Sequence, residues 1–224
     1  MEKLLKSTNR AAFTQKHLVS IADLNAEEIS AILDLADHYA DTLDNRTYEK
    51  DILRGSVILT LFFEHSTRTC TSFEMAAKRL GAQTINWNPE TSSLKKGESF
   101  ADTIRTLDAM GPDAIIIRHS EYGAPQFVAN RVSCPVINAG DSWREHPTQA
   151  LLDALTMRRR FKRLEGLTVA IVGDIAHSRV AASNMILLKK MGADVNVIAP
   201  PLLMPEKRAA EDVRPFDSLR DGLK

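Results

Sequence analysis

Short apolar runs alternate with helix-periodic segments along most of this chain, and that alternation restricts the fold more than any other feature. Runs at 56–63, 83–87, 113–117 and 135–138 have the length and composition of strands, and the segments between them, about 68–80, 98–110 and 123–131, carry apolar residues at helical spacing. Strands separated by helices are joined by crossovers rather than hairpins, which sets them parallel. Parallel strands are apolar throughout because helices cover both of their faces. The expected class is α/β, a parallel sheet with helices on both faces.

This rhythm is preceded by a helix and restarts once. Residues 1–20 are polar and aperiodic up to Lys16-His17-Leu18-Val19-Ser20, so a loose N-terminus is expected. Asn25 and Glu28 have the spacing of a capping box, and Ile29, Ile32, Leu33, Leu35 and Ala36 form the apolar stripe of a helix running to about Leu43. A longer helix is expected from about Pro147 to Phe161, with proline in its first turn. Its basic end, Arg158-Arg159-Arg160-Phe161-Lys162-Arg163, reads as a favourable helix C-terminus and solvated face rather than a nucleic-acid patch. After a break near Leu164-Glu165-Gly166 come a strand from Thr168 to Val172 ending in Gly173-Asp174, a helix from Arg179 to Met191 closed by Gly192, and a strand from Asp194 to Ala199. The expected organisation is two βαβ-type domains, 1–146 and 165–224, with an interdomain helix at 147–164. The second has too few strands to bury a sheet on both faces and is expected to be incomplete.

Composition excludes several classes. Lysine plus arginine and aspartate plus glutamate both number 29, so no net field draws the chain to nucleic acid or to an anionic membrane, and any anion site must be local. Cys70 and Cys134 are the only cysteines, without metal-ligand spacing, which argues against a disulfide scaffold or zinc site and fits a reducing compartment. No apolar run has the length of a membrane span, and Met1 to Ser20 lacks the continuous apolar core of a signal peptide. A cytoplasmic location is the expectation.

In an open parallel sheet, ligands bind outside the carboxyl ends of the strands, so the residues at those ends indicate the chemistry. After the first strand come Ser66, Thr67, Arg68 and Thr69, at the start of a helix whose N–H groups and dipole favour an anion; Arg68 adds a planar fork suited to phosphate. Alone, this stretch reads equally as a polar helix cap. After the second strand come Thr91-Ser92-Ser93-Leu94-Lys95-Lys96-Gly97-Glu98, after the third Arg118-His119-Ser120, and after the fourth Gly140 through Gln149. Each has a bland reading: Lys95-Lys96 as a solvated loop, Arg118 as a salt-bridge partner, His146 as a helix cap. On one sheet edge together, Arg68, Arg118, the lysines and His146 describe a site for a small, highly charged anion.

Ser66-Thr67-Arg68-Thr69 following Phe62-Phe63-Glu64, and His146-Pro147-Thr148-Gln149-Ala150-Leu151-Leu152-Asp153 opening a helix, resemble the two signatures of the aspartate and ornithine carbamoyltransferases. The intervening Ser92-Ser93-Leu94-Lys95-Lys96-Gly97-Glu98-Ser99 is similar to the aspartate branch in particular. The resemblance runs from about Gly55 to Asn184. It implies transfer of the carbamoyl group of carbamoyl phosphate to the amine of L-aspartate, with residues 1–146 as the carbamoyl-phosphate domain and 165–224 as part of an aspartate domain. It places Ser66, Thr67, Arg68, Thr69 and Arg118 on the phosphate, joined by Ser92 or Ser93 and Lys96 from a neighbouring subunit. It places His146 on the carbamoyl oxygen, Gln149 as acceptor from the carbamoyl nitrogen, and Arg179 on the α-carboxylate of aspartate. It further implies a homotrimer with shared sites, leaves open association with regulatory or dihydroorotase chains, and requires no cofactor and no metal.

Two positions depart from the family pattern. The family usually has a second arginine where Cys70 stands and another residue, often proline, where His65 stands. A cysteine beside cationic groups at a helix N-terminus can be reactive, but inert packing is the preferred reading. Family members also continue well past the position matching Lys224, so a truncated acceptor half with little turnover of its own is expected. Three functions remain open on this reading: an aspartate carbamoyltransferase chain, a carbamoyltransferase with another acceptor such as ornithine, and a non-catalytic homologue that binds carbamoyl phosphate or serves as an assembly partner.

Overall fold

The computed structural model describes residues 13–45, 47, 51–89, 97–204 and 213–224. The described chain groups into two compact units, each with its own parallel sheet.

One unit comprises Gln15–Val19 and His38–Ser142. Its strands are β1 (Val57–Phe62), β2 (Gln83–Trp87), β3 (Ala114–His119) and β4 (Val136–Asp141), in the order β2-β1-β3-β4 and parallel throughout. The first helix of the chain, α1, is Ala26–Asp44; the crossovers of this unit are α2 (Thr67–Arg79), α3 (Phe100–Ala109) and α4 (Ala124–Ala129). Side chains alternate across a strand, and the core divides accordingly. Leu59, Leu61, Ile115 and Ile117 pack with Ile104 and Leu107 of α3 and Val128 of α4, whereas Ile58 and Ile116 pack with Ala77 and Phe73 of α2. Helices therefore cover both faces, as the continuous apolar strands require. Cys134 is plain core.

The expected loose N-terminus gives way to pairing by residue 18. Leu18 N–H donates to Val136 O at 2.9 Å and Leu18 O accepts from Asn138 N–H at 2.9 Å, so this segment adds to the exposed side of β4. A single bridging residue carries no periodicity, which is why the pattern gives no sign of it.

The other unit groups Ser20–Asp37 with Trp143–Lys224. It holds α5 (Pro147–Phe161), β5 (Thr168–Val172), α6 (Arg179–Lys190), β6 (Asp194–Ile198), β7 (Arg214–Phe216) and α7 (Leu219–Gly222), with the parallel order β5-β6-β7. The capping box at the start of α1 is formed on both sides: Glu28 N–H donates to Asn25 Oδ1 at 2.8 Å and Asn25 N–H to Glu28 Oε2 at 2.9 Å. The Glu28 carboxyl also accepts from Thr14 N–H at 2.9 Å, and these backbone donors hold it below the usual glutamate range. Ile29 and Leu33, on the inner face of α1, are fully buried.

The basic end of α5 is exposed from residue 159 to 163, as a solvated face, and within it Arg158 and Arg159 join an ion-pair network. Arg158 reaches Asp34 and Asp37, each at 2.7 Å, and Arg159 reaches Asp37 at 2.5 Å, holding the Asp37 carboxyl below its usual range. The two compact units interleave in sequence, the first half of α1 grouping with α5, to which Asp34 and Asp37 are joined by Arg158. β7 and α7 escape the sequence pattern. Arg214-Pro215-Phe216 is too short to show a period, and its proline, which cannot donate to a ladder, fits because β7 is an edge strand.

Candidate active site

In the first-sheet unit the anion motif is assembled by strand register. Phe62 pairs with Arg118 across β1 and β3, and Phe63 N–H donates to Arg118 O at 2.9 Å, so Arg118, inside β3 rather than after it, lies beside the turn that carries Glu64 to Thr69. Ser66 is the N-cap of α2, and its side chain makes no capping hydrogen bond to the helix. The polar-cap reading of this stretch is thus not realised. Thr67 and Arg68 are exposed, and Ser66 and Thr69 are half-buried, at the positive end of a 13-residue helix.

Arg118 is held from two sides. Its Nε donates to Glu64 Oε2 at 2.9 Å, with the two side chains only 12% and 25% exposed. Gly140, at φ +136°, lies opposite, where a Cβ would stand 3.3 Å from Arg118 Cγ and 3.4 Å from its Nη1. His119 follows in the strand. Its Nδ1 accepts from Glu121 N–H at 2.9 Å, its ring packs on Phe63 with centroids 4.4 Å apart, and burial pushes its pKa below the ordinary value. Any positive charge here comes from the arginines, not from this histidine.

A cavity of about 300 Å³ opens beside the motif, with Glu64, Ser66, Thr67, Cys70, Asn86 and Asn88 among its walls. Arg68 and Arg118 are not among them, so the cavity extends to the β2 side of the motif. Cys70 donates to Glu74 Oε1 at 3.4 Å, and Asn86 Nδ2 donates to the same carboxylate oxygen at 2.9 Å. Burial first, and Glu74 second, push the Cys70 thiol upward, which keeps it protonated and favours inert packing over reactivity. Ser92, Ser93 and Lys96 lie outside the described residues; Ser99, just past that loop, caps α3 by accepting from Asp102 N–H at 3.1 Å.

The second-sheet unit carries the other group. Pro147 opens α5 with His146 as its N-cap, and the His146 side chain makes no capping bond. The bland cap reading fails here as well. His146 is buried, and its backbone is fixed by a short relay: His146 N–H donates to Ser183 Oγ at 2.9 Å, and Ser183 Oγ donates to Glu145 Oε2 at 3.2 Å. The buried Glu145 carboxylate also accepts from Ile21 N–H at 2.9 Å and from the Ser20 hydroxyl. Thr148 Oγ1 lies 3.4 Å from His146 Nδ1. One turn along α5, Gln149 Nε2 donates to Asp153 Oδ1 at 2.9 Å.

Arg179 is the first residue of α6, where Ser178 caps by accepting from Ala181 N–H at 3.2 Å. A cation in the first turn opposes the helix dipole, an arrangement that an incoming carboxylate would relieve. Sequence reading missed the residues that hold the others in place. Glu64 was in plain view within the motif. The i,i+4 spacing of Gln149 and Asp153 was a usable signal. The approach of Ser183 and Asn184 from α6 had no sequence signal.

A parallel sheet covered by helices on both faces, with a held arginine near the end of one strand, places this chain in the α/β class. The chain belongs to the aspartate/ornithine carbamoyltransferase family: the model of that family's carbamoyl-P binding domain matches residues 16–159. It is 54% identical over 213 residues to the aspartate carbamoyltransferase catalytic subunit of Parvibaculum lavamentivorans, covering 94% of this chain and 64% of the relative. It is 50% identical over 212 residues to that of Caulobacter vibrioides, again covering 64% of the relative. The chain thus spans somewhat less than two thirds of the length of these relatives. Among solved structures, the Trypanosoma cruzi aspartate transcarbamoylase in complex with carbamoyl phosphate and aspartate superposes with a TM-score of 0.87 at 32% identity, covering 93% of this chain and 68% of that one. The catalytic subunit of M. jannaschii aspartate transcarbamoylase gives a TM-score of 0.83 at 37% identity, covering 92% of this chain and 70% of that one.

Proposed function

We propose that this chain supplies the carbamoyl-phosphate side of an aspartate carbamoyltransferase, transferring the carbamoyl group to the amine of L-aspartate to give N-carbamoyl-L-aspartate and phosphate. The observation that carries this reading is Arg118, pinned by Glu64 beside the uncapped N-terminus of α2. A cation fixed in place and a set of helix N–H groups suit a phosphate that gains charge as it leaves.

In the reaction the uncharged amine attacks the carbonyl carbon, negative charge grows on the carbonyl oxygen, and the C–O bond to phosphate breaks. Donors set in advance where that charge develops lower the barrier; removing one such donor typically costs about 10²–10³ in rate. Arg68, Thr69 and Arg118 serve the phosphate in this scheme, with Ser66 and Thr67 as further donors. His146 serves the carbonyl oxygen. With Thr148 Oγ1 3.4 Å from His146 Nδ1, this scheme uses the tautomer in which the hydroxyl donates to Nδ1 and the ring hydrogen sits on Nε2, which makes Nε2 the donor. Gln149 accepts from the carbamoyl nitrogen, and Arg179 takes the α-carboxylate of aspartate. The departing phosphate can accept the amine proton, so no protein base is needed. Ser92 or Ser93 and Lys96 complete the phosphate site from a neighbouring subunit, which makes the working unit a homotrimer in the cytoplasm.

Titration calorimetry tests the reading: carbamoyl phosphate binds the parent chain, and Arg68→Ala weakens binding by at least tenfold. Equal binding by parent and variant would overturn the assignment and leave an assembly role.

A further inference from the structure

Asp153 is outside every role so far assigned, yet it joins two helices through two amide side chains. Gln149 Nε2 donates to Asp153 Oδ1 at 2.9 Å, and Asn184 Nδ2, from α6, donates to Asp153 Oδ2 at 2.7 Å. Asn184 is buried, and its Nδ2 spends its second hydrogen on Val180 O at 3.1 Å. The Asn184 amide is therefore fixed with its nitrogen toward Asp153. A carboxylate only accepts, so it takes the NH₂ of Gln149 and leaves Oε1 as the free end of that amide. Gln149 is one turn from His146, at the start of the same helix.

We propose that Asp153, set by Asn184, is the positioning residue that orients Gln149 as an acceptor and so selects a carbamoyl NH₂ over a methyl group at that place. The inference rests on the carbamoyl-phosphate reading above. Its logic follows from counting donors. Asp153 offers two acceptors to two incoming amides. An asparagine there offers one acceptor and one donor, so one amide must turn over. Asn184 is held by Val180, and Gln149 yields. A turned Gln149 presents NH₂ to the substrate NH₂, donor against donor.

Acetyl phosphate is the discriminating probe, since it keeps the phosphate and the carbonyl and replaces NH₂ with CH₃. Titration calorimetry on the whole chain, with thermal unfolding in parallel, compares parent, Asp153→Asn and Asp153→Glu against carbamoyl phosphate, acetyl phosphate and inorganic phosphate. The parent prefers carbamoyl over acetyl phosphate by about tenfold, the scale of one hydrogen bond. Asp153→Asn binds the two equally, Asp153→Glu keeps the preference because it remains an acceptor, and inorganic phosphate binds all three chains alike. A preference retained in Asp153→Asn overturns the positioning role. A preference lost in both variants together with a lowered unfolding temperature also overturns it, assigning Asp153 to packing. No binding of carbamoyl phosphate by the parent overturns the underlying reading and this inference with it, a result distinct from a parent that binds and an Asp153→Asn that is unchanged.

Discussion

Gly140 and Gly173 form a matched pair for testing whether the exact placement of Arg118 matters. Their φ values are +136° and +135°, so an alanine at either position is strained by a backbone conformation that side-chain-bearing residues rarely adopt. Residues held in such sparsely populated backbone regions typically cost about 1–3 kcal/mol, which for a chain of this size lowers Tm by about 2–10 °C. The neighbours differ. A Cβ at Gly173 meets nothing within 4 Å, whereas one at Gly140 stands 3.3–3.4 Å from Arg118 Cγ, Cδ and Nη1. The guanidinium must then shift by a few tenths of an ångström, and with the Arg118 side chain 12% exposed and tied to Glu64 it cannot do so without loosening that pair. Charge-assisted hydrogen bonds contribute about 1.5–3 kcal/mol, and losing roughly half of one costs about 1 kcal/mol, or about fivefold in Kd. Thermal unfolding and calorimetric titration with inorganic phosphate measure the two effects separately. Gly140→Ala and Gly173→Ala both lower Tm, and only Gly140→Ala weakens phosphate binding. Equal phosphate affinity in the two variants would refute the argument that Arg118 acts from a fixed position.

Acid should destabilise the fold in two steps. His17 and His119 are held below the ordinary 6.5 by burial, so the unfolded chain protonates first and stability falls as pH drops below that value; His119→Gln should flatten the slope of Tm between about pH 7 and pH 5.5, and an unchanged slope would contradict the role of burial. Glu28 and Asp37, held below 4.5 and 3.8, add a further loss at lower pH of the same sign. Asn25→Ala removes the acceptor of the α1 capping box and should cost about 1 kcal/mol in denaturant unfolding, with Asn25→Gly costing only a few tenths.

The strands β1, β2, β5 and β6 were legible in the sequence to within about one residue, whereas β3 and β4 continue past their apolar runs to His119 and Asp141, because polar residues of the candidate site occupy their last positions. The α1 capping box was legible too: its two partners are three residues apart and bond each other. The second unit's last strand was not, since three residues with a proline declare nothing until β6 is beside them. The candidate site divides along the same line. The residues proposed to meet substrate stand in local motifs, as with Arg68 or His146 and Gln149. The residues that hold them arrive from distant segments: Glu64 reaches Arg118 only through β1–β3 register, and Asn184 reaches Asp153 only because α6 packs on α5. The basic run at 158–163 read correctly as an exposed helix C-terminus, but the pairing of Arg158 and Arg159 with Asp34 and Asp37 gave no local sign, those partners being far away in sequence.

That separation has a consequence for how the chain emerges from a ribosome. The first half of α1 leaves well before α5, its ion-pair partner, with His38–Ser142 still to be made before Trp143 begins the rest of its unit. At typical synthesis rates those roughly hundred residues take about 5–20 s. Throughout that interval Ile29 and Leu33, fully buried in the finished fold, wait in a unit of which most is still unmade, while the first sheet can already close on itself. The nascent chain therefore waits with an apolar helix in the open, a natural target for a chaperone and a point at which slow translation favours aggregation over folding.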